Sequence, residues 1–185
     1  MLIGIDEVGR GAWAGPLLIV AARETKPIDL KLRDSKKLSK TQRQNFYTVL
    51  ATYCDFGEGW VSPVEIDSLG LTGAMRLGVS RALSAISCEP SASIIMDGTI
   101  NYCAEEFINI SCVAKADDKY PIVSAASIYA KVVRDKHMVE QAQKYPDYGF
   151  DTHVGYGTKN HIDALKLKGV CKIHRLSYKP VGAMV

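Results

Sequence analysis

Short apolar runs that end on acids set the strongest limit on what this chain can fold into. LIGID (2–6) closes on Asp6, with Glu7 next; SIIMD (93–97) closes on Asp97, ahead of Gly98. INISCVA (108–114) leads into KADDKYP, which carries Asp117 and Asp118. Runs this short, bounded by polar and turn residues, read as strands rather than helices. LLIVAA (17–22), bounded by Pro16, is another, and CDFGEGWVS (54–62) alternates loosely, like a half-exposed strand.

Helical patterns lie between them. Ser39 is placed to cap a helix over about 40–53, with Phe46, Val49, Leu50 and Tyr53 on one face. Ser62-Pro63-Val64-Glu65 has the form of a capping box with proline at the first helical position. Thr72 is placed to cap a second helix, with Met75, Val79, Ala82, Leu83 and Ile86 inward. The longest pattern covers about 122–144 and stops at Pro146; a last one runs from Thr158 to Lys168, with Gly169 as its stop. Early strands followed by strand–helix alternation predict an α/β domain, a mixed sheet with helices on both faces. Periodicity leaves the strand order open.

The 185 residues suit one domain with a full core, and 47% hydrophobic with 23% charged residues is a globular balance. No apolar stretch reaches the roughly 20 residues of a membrane helix, and no charged segment leads into a cleavable apolar one. Five cysteines, an odd number without a CxxC pair, read as reduced thiols and a cytoplasmic location.

Taken singly, each acid has a structural reading. Asp97-Gly98 is a common turn pair, and Asp117 or Asp118 could cap the long helix. Taken together, they sit at the ends of separate short strands. If those strands are neighbours, the carboxylates converge at one sheet edge. Converging carboxylates raise one another's pKa, and a divalent cation resolves the conflict. Hard oxygen donors select Mg²⁺ or Mn²⁺ over zinc. The four histidines (137, 153, 161 and 174) show no zinc-binding spacing and are expected at the surface or in a groove.

The acid pair runs straight into a glycine-rich turn, GIDEVGRGAWAGP (4–16). Gly9, Gly11 and Gly15, with Asp29 twenty residues beyond Gly9, imitate a dinucleotide-binding fingerprint. That site needs the turn to open a helix whose N-terminus holds the pyrophosphate. Pro16 and an apolar strand arrive too soon, and the acids ahead of the turn would repel a pyrophosphate. A metal site facing a nucleic-acid backbone and a plain surface turn both stay open. The net charge is only +3, but six basic residues lie in 31–43 and six more from Lys159 to Lys179. Such clusters are more often solvated faces than binding sites, but two of them in one small domain raise the case for a nucleic-acid partner.

In their order, GIDEVGRGAWAGP, DSKKLS, MDG, KADDKYPIVSAASIYAKVVRD, YGFDTHVGYGTKNH and HRLSYKPV resemble the motifs of ribonuclease HII, the type 2 ribonuclease H family. The resemblance runs from Ile3 to about Val181. It implies a ribonuclease-H-like fold, a mixed five-stranded sheet flanked by helices, with a helical C-terminal part over about 145–185 of one catalytic domain. It implies a metal-dependent endoribonuclease that hydrolyses the RNA strand of RNA/DNA hybrids. The enzyme would also cut 5′ of single ribonucleotides embedded in duplex DNA, leaving 5′-phosphate and 3′-hydroxyl ends. Its role would be removal of misincorporated ribonucleotides and RNA primers. Asp6, Glu7, Asp97 and Asp117 would be the catalytic acids and metal ligands, for two Mg²⁺ or Mn²⁺ ions with substrate bound; the family pattern selects Asp117 over Asp118. Gly9, Arg10, Gly11, Lys36, Lys37 and Tyr156 would contact the hybrid, and the protein would be a monomer that binds no membrane. Val154 departs from the pattern, since many members carry a basic residue there. With only five residues before Asp6, the N-terminal extension of type 3 enzymes would be absent. The rival readings are a type 3 activity without junction cleavage and a hybrid-binding module without catalysis. The four acids argue against the latter, because a pure binder gains nothing by repelling phosphate.

Overall fold

The computed structural model describes residues 1–30, 32 and 38–185. Five strands form one sheet: β1 (Leu2–Val8), β2 (Leu17–Glu24), β3 (Cys54–Val61), β4 (Ser93–Asp97) and β5 (Asn109–Val113). Their order is β3-β2-β1-β4-β5. The first three strands are an antiparallel meander, whereas β4 and β5 add in parallel on the other side of β1. The sheet is therefore mixed, and β1, which carries the acid pair, is its centre.

Helices α1 (Lys40–Leu50), α2 (Pro63–Ala85) and α3 (Pro121–Lys144) cover the sheet. Leu17, Ile19 and Ala21 of β2 join the core under α2, while Leu18, Val20 and Ala22 join the core under α3. Both faces of β2 are dry, which is why LLIVAA reads as a continuous apolar run rather than an alternation. The expected helix caps form. Ser39 and Ser62 each close a capping box, with Gln42 and Glu65 respectively, and Thr158 accepts from the His161 amide.

The two helices expected after Ser62 form, with the break between them displaced from its expected place. The segment expected as two helices, the second capped by Thr72, runs from Pro63 to Ala85 with its break at Gly70 (φ 66°, ψ 169°). A positive φ costs glycine little, so the chain turns there, two residues before the polar cap candidate.

Gly4 fixes the depth of α3. A Cβ at this position would stand 2.6 Å from the backbone of Ile122, so the first turn of α3 lies directly on β1. Beyond Pro146 come short helices only: a 3₁₀ turn (Pro146–Tyr148), α4 (Phe150–His153), α5 (Lys159–Lys168) and α6 (Lys179–Gly182). They enclose a third core of Ala14, Met138, Tyr148, Phe150 and Leu165. An isolated bridge from His174 to Ala14 ties them to the glycine turn. All five cysteines are free thiols, and only Cys54 is buried. Among the described residues no helix is long and apolar enough to cross a membrane.

Candidate active site

Parallel pairing of β1 with β4 through Ile5 and Met96 brings the next residues, Asp6 and Asp97, to adjacent strand ends. Asp97 Oδ1 accepts the Ala116 amide at 2.7 Å. That bond captures the 3₁₀ turn Ala116–Asp118 and with it Asp117. Asp117 is buried and Asp118 exposed, so the fold separates two neighbours that strand periodicity could not. Ser124 Oγ, in the first turn of α3, donates to the Asp117 carbonyl at 2.5 Å.

Asp6 is 6% exposed. Burial pushes its carboxyl well above the ordinary range, and the charges of Glu7 and then Asp97 add to the effect. Hydrogen bonds from Ser127 and from the Glu7 amide, the latter at 2.8 Å, offset part of it. Such a carboxylate is ionised at neutral pH at a cost, and a cation removes that cost. The donor set is all oxygen and suits a hard divalent ion. Among the described residues no three His, Cys, Asp or Glu side chains form a ready cage. Mg²⁺ does not require one, because it keeps several waters and is commonly held by one or two carboxylates together with substrate phosphates. The residues present therefore fit such an ion.

Beside the acids opens a cavity of about 410 Å³, lined by Asp6, Glu7, Val8, Gly9, Arg10, Gly11, Ser127, Lys131 and Tyr156. The chain turns at Gly9 with φ 85°. A side chain on Gly11 would meet nothing within 4 Å, so the backbone there is open to a ligand. Arg10 is exposed, its guanidinium 3.6 Å from Glu7 Oε1. Tyr156, half-buried, enters from the loop after α4, and its ring lies 5.7 Å from the Arg134 guanidinium carbon. The structure thus brings Asp6, Glu7, Gly9, Arg10, Gly11 and Tyr156 around one cavity. Asp97, at the end of β4, and Asp117, in the turn after β5, do not line it. Lys36 and Lys37 lie outside the described residues.

A second cavity of about 500 Å³ shares Lys131 with the first and is walled by Lys40, Arg43, Lys136, Asp151 and Val154, among others. The basic run 31–43 noted in the sequence includes Lys40 and Arg43, whereas Lys131 and Lys136 lie outside both basic runs. Those two sit on α3, where helical spacing alone does not distinguish a groove wall from a solvated face.

The histidine expectation needs correction. His153, His161 and His174 are buried, and only His137 is partly exposed. His161 Nδ1 faces the Tyr156 carbonyl at 3.0 Å and so must donate to it. Its Nε2 then accepts from His174 Nε2 at 3.0 Å, and His174 Nδ1 accepts the Cys171 amide at 2.8 Å. This chain of bonds leaves both rings neutral, and burial drives His161 down to about 4. Their polar atoms are consumed by loop carbonyls and amides, an arrangement that sequence spacing does not reveal.

The ribonuclease HIII called Bst-RNase HIII, solved with Mn²⁺, shares the fold at a TM-score of 0.69, covering 99% of this chain and 68% of its own, with 17% identity. The ribonuclease HII of Archaeoglobus fulgidus, solved in complex with PCNA, superposes at 0.83 over 100% of this chain and 96% of its own, with 25% identity. Fold and acid-lined site define a ribonuclease of the H type, a phosphodiester hydrolase. More narrowly, the chain belongs to the ribonuclease HII family, whose sequence model matches residues 3–181. A ribonuclease HII of Sulfurovum sp. (strain NBC37-1) is 41% identical over 98% of this chain and 93% of its own length. The chain is thus an endoribonuclease with ribonuclease HII function.

Proposed function

We propose that the cavity beside β1 is where the RNA strand of an RNA/DNA hybrid, or a single ribonucleotide in duplex DNA, is cut. Cleavage falls on the 5′ side of the ribonucleotide and leaves 5′-phosphate and 3′-hydroxyl ends. The observation that carries this reading is the convergence of an acid pair, an open glycine turn and one aromatic side chain on a single cavity.

Asp6, Glu7, Asp97 and Asp117 are the residues that would hold Mg²⁺ or Mn²⁺, two ions when substrate is present. When bound, such ions supply a water of lowered pKa and neutralise charge on the reacting phosphate. The chain's own groups do the rest. Ser127 fixes the Asp6 carboxylate by a hydrogen bond. Asp97 holds the turn that presents Asp117. Backbone groups at Gly9 and Gly11 meet the ribose, whose 2′-hydroxyl both donates and accepts and so distinguishes RNA from DNA. Arg10 and Lys131 offer cations to the phosphates that flank the cut. Tyr156 stacks beside the sugar or base of the next nucleotide. Lys36 and Lys37 complete the backbone contacts.

The protein acts in the cytoplasm as a monomer with one catalytic domain over 1–185. There it removes misincorporated ribonucleotides and RNA primers. Cleavage mapping on matched duplexes with one, four or many ribonucleotides, with and without Mg²⁺, tests the reading. Metal-dependent cutting 5′ of the lone ribonucleotide is the expected result. Cutting only within long RNA tracts would leave the type 3 activity.

A further inference from the structure

Arg134 is fully buried on α3, yet its guanidinium bonds to backbone carbonyls rather than carboxylates. Nε donates to Pro16 O at 2.8 Å, one terminal nitrogen to Val154 O at 2.9 Å, and the other to Ala14 O at 3.2 Å. Two separate segments are gripped by one planar group. The first is the chain leaving the glycine turn; the second is the loop that carries Tyr156. A Cβ on Gly9 would stand 2.2 Å from Arg134 Nε, so the guanidinium also lies flat against the turn itself. The Tyr156 ring packs against the same guanidinium, its centre 5.7 Å from Cζ.

The grip has a visible consequence in the backbone. Val154 sits at φ 45°, ψ 36°, in the left-handed region. A β-branched residue there is strained and persists only where surrounding structure over-determines it. The bond from Arg134 to the Val154 carbonyl is one such determinant. The bonds from the Trp13 and Ala14 amides to Gly155 O, at 2.8 and 3.2 Å, are another. Lysine could not reproduce this, since a point charge lacks the rigid fork that reaches three carbonyls at once. Burial lowers the Arg134 pKa only to about 10, so the group stays charged at neutral pH.

We propose that Arg134 is a positioning residue for substrate selectivity: it fixes the Tyr156 ring relative to the Gly9–Gly11 turn. The distance between the ring and the glycine backbone then determines how well a lone ribonucleotide is held. A long hybrid depends on it less, because many registers can bind. The inference rests on the reading of Tyr156 as a substrate contact.

The test compares kcat/KM on a duplex with one ribonucleotide and on a long RNA/DNA hybrid, for Arg134→Lys, Tyr156→Ala and the double variant. The ratio of the two values cancels any loss of folded protein. Misplacement of a positioning contact costs up to about 100-fold. Arg134→Lys should therefore lower the ratio by about tenfold, and the double variant should be no worse in ratio than Tyr156→Ala. If Arg134→Lys does not fold, Arg134→Gln keeps the stem against Gly9 without the buried charge, and the same fall is expected. A selective loss in Tyr156→Ala with equal losses on both substrates in the Arg134 variant overturns the inference while sparing the tyrosine reading. No selective loss in Tyr156→Ala overturns the tyrosine reading, and the inference with it.

Discussion

Asp97, the last residue of β4, accepts the backbone amide of Ala116 at 2.7 Å. One carboxylate oxygen thereby organises the turn that carries another acid, Asp117. Two substitutions separate this scaffolding from the chemistry. Asp97→Asn keeps an acceptor oxygen, so the melting temperature should hold while cleavage is lost. Asp97→Ala strands the amide, at about 1–3 kcal/mol, and should lower the melting temperature by roughly 2–4 °C for each kcal/mol. On the other strand, Asp6→Asn should abolish cleavage yet raise stability in metal-free buffer, because it removes a buried charge beside Glu7 and Asp97. Added Mg²⁺ should stabilise the parent protein and not this variant. Thermal melts with a labelled-hybrid assay check these outcomes.

Stacking of a base on an aromatic ring contributes about 1–3 kcal/mol. Tyr156→Ala should therefore lose about 5- to 150-fold on a single embedded ribonucleotide, and less on a long hybrid. Tyr156→Phe should retain much of the activity if the ring face does the work, and lose most of it if the hydroxyl does. Steady-state kinetics of both variants on both substrates decide between these roles.

His161 predicts an acid-side weakness in the Tyr156 loop. Its pKa falls from the ordinary 6.5 to about 4, chiefly through burial. The unfolded chain thus takes up this proton first as pH drops. Stability from the neutral ring is complete above about pH 6.5, declines between 6.5 and 4, and levels off below, a total on the order of 3 kcal/mol. His174, His153 and the Tyr156 carbonyl are its polar surroundings, and the carbonyl bond opposes part of the shift. Urea unfolding at pH 7 and pH 5 should show the loss, and His161→Gln should flatten it.

The groove that continues from the cavity beside β1 predicts a salt dependence. Lys40 and Lys136 wall it and are both exposed. Each phosphate they neutralise adds about −0.9 to the slope of log affinity against log salt. Lys40→Ala with Lys136→Ala should reduce the slope by up to about two, without moving the cut site. Hybrid binding from 50 to 200 mM salt is the measurement; an unchanged slope would make the groove a solvated face.

The acids at strand ends, the helix caps at Ser39, Ser62 and Thr158, and the glycine turn were legible in the chain itself. Each is local: strand period, cap chemistry and turn preference act over a few residues and need no distant partner. Asp117 could be told from Asp118 only by the family pattern or by the fold, because what distinguishes them is burial against α3. The sequence determined that β1 would be apolar and end in Asp6 and Glu7. Tertiary structure decided that β1 would be central, with β4 beside it in parallel and Asp97 at its side. It likewise decided that Arg134 would be buried among carbonyls from residues 14, 16 and 154, and that three histidines would be sealed behind Tyr156. A charged or titratable side chain is placed inside by hydrogen-bond partners that lie far away in sequence, so its own neighbourhood in the chain gives no sign of where it will go.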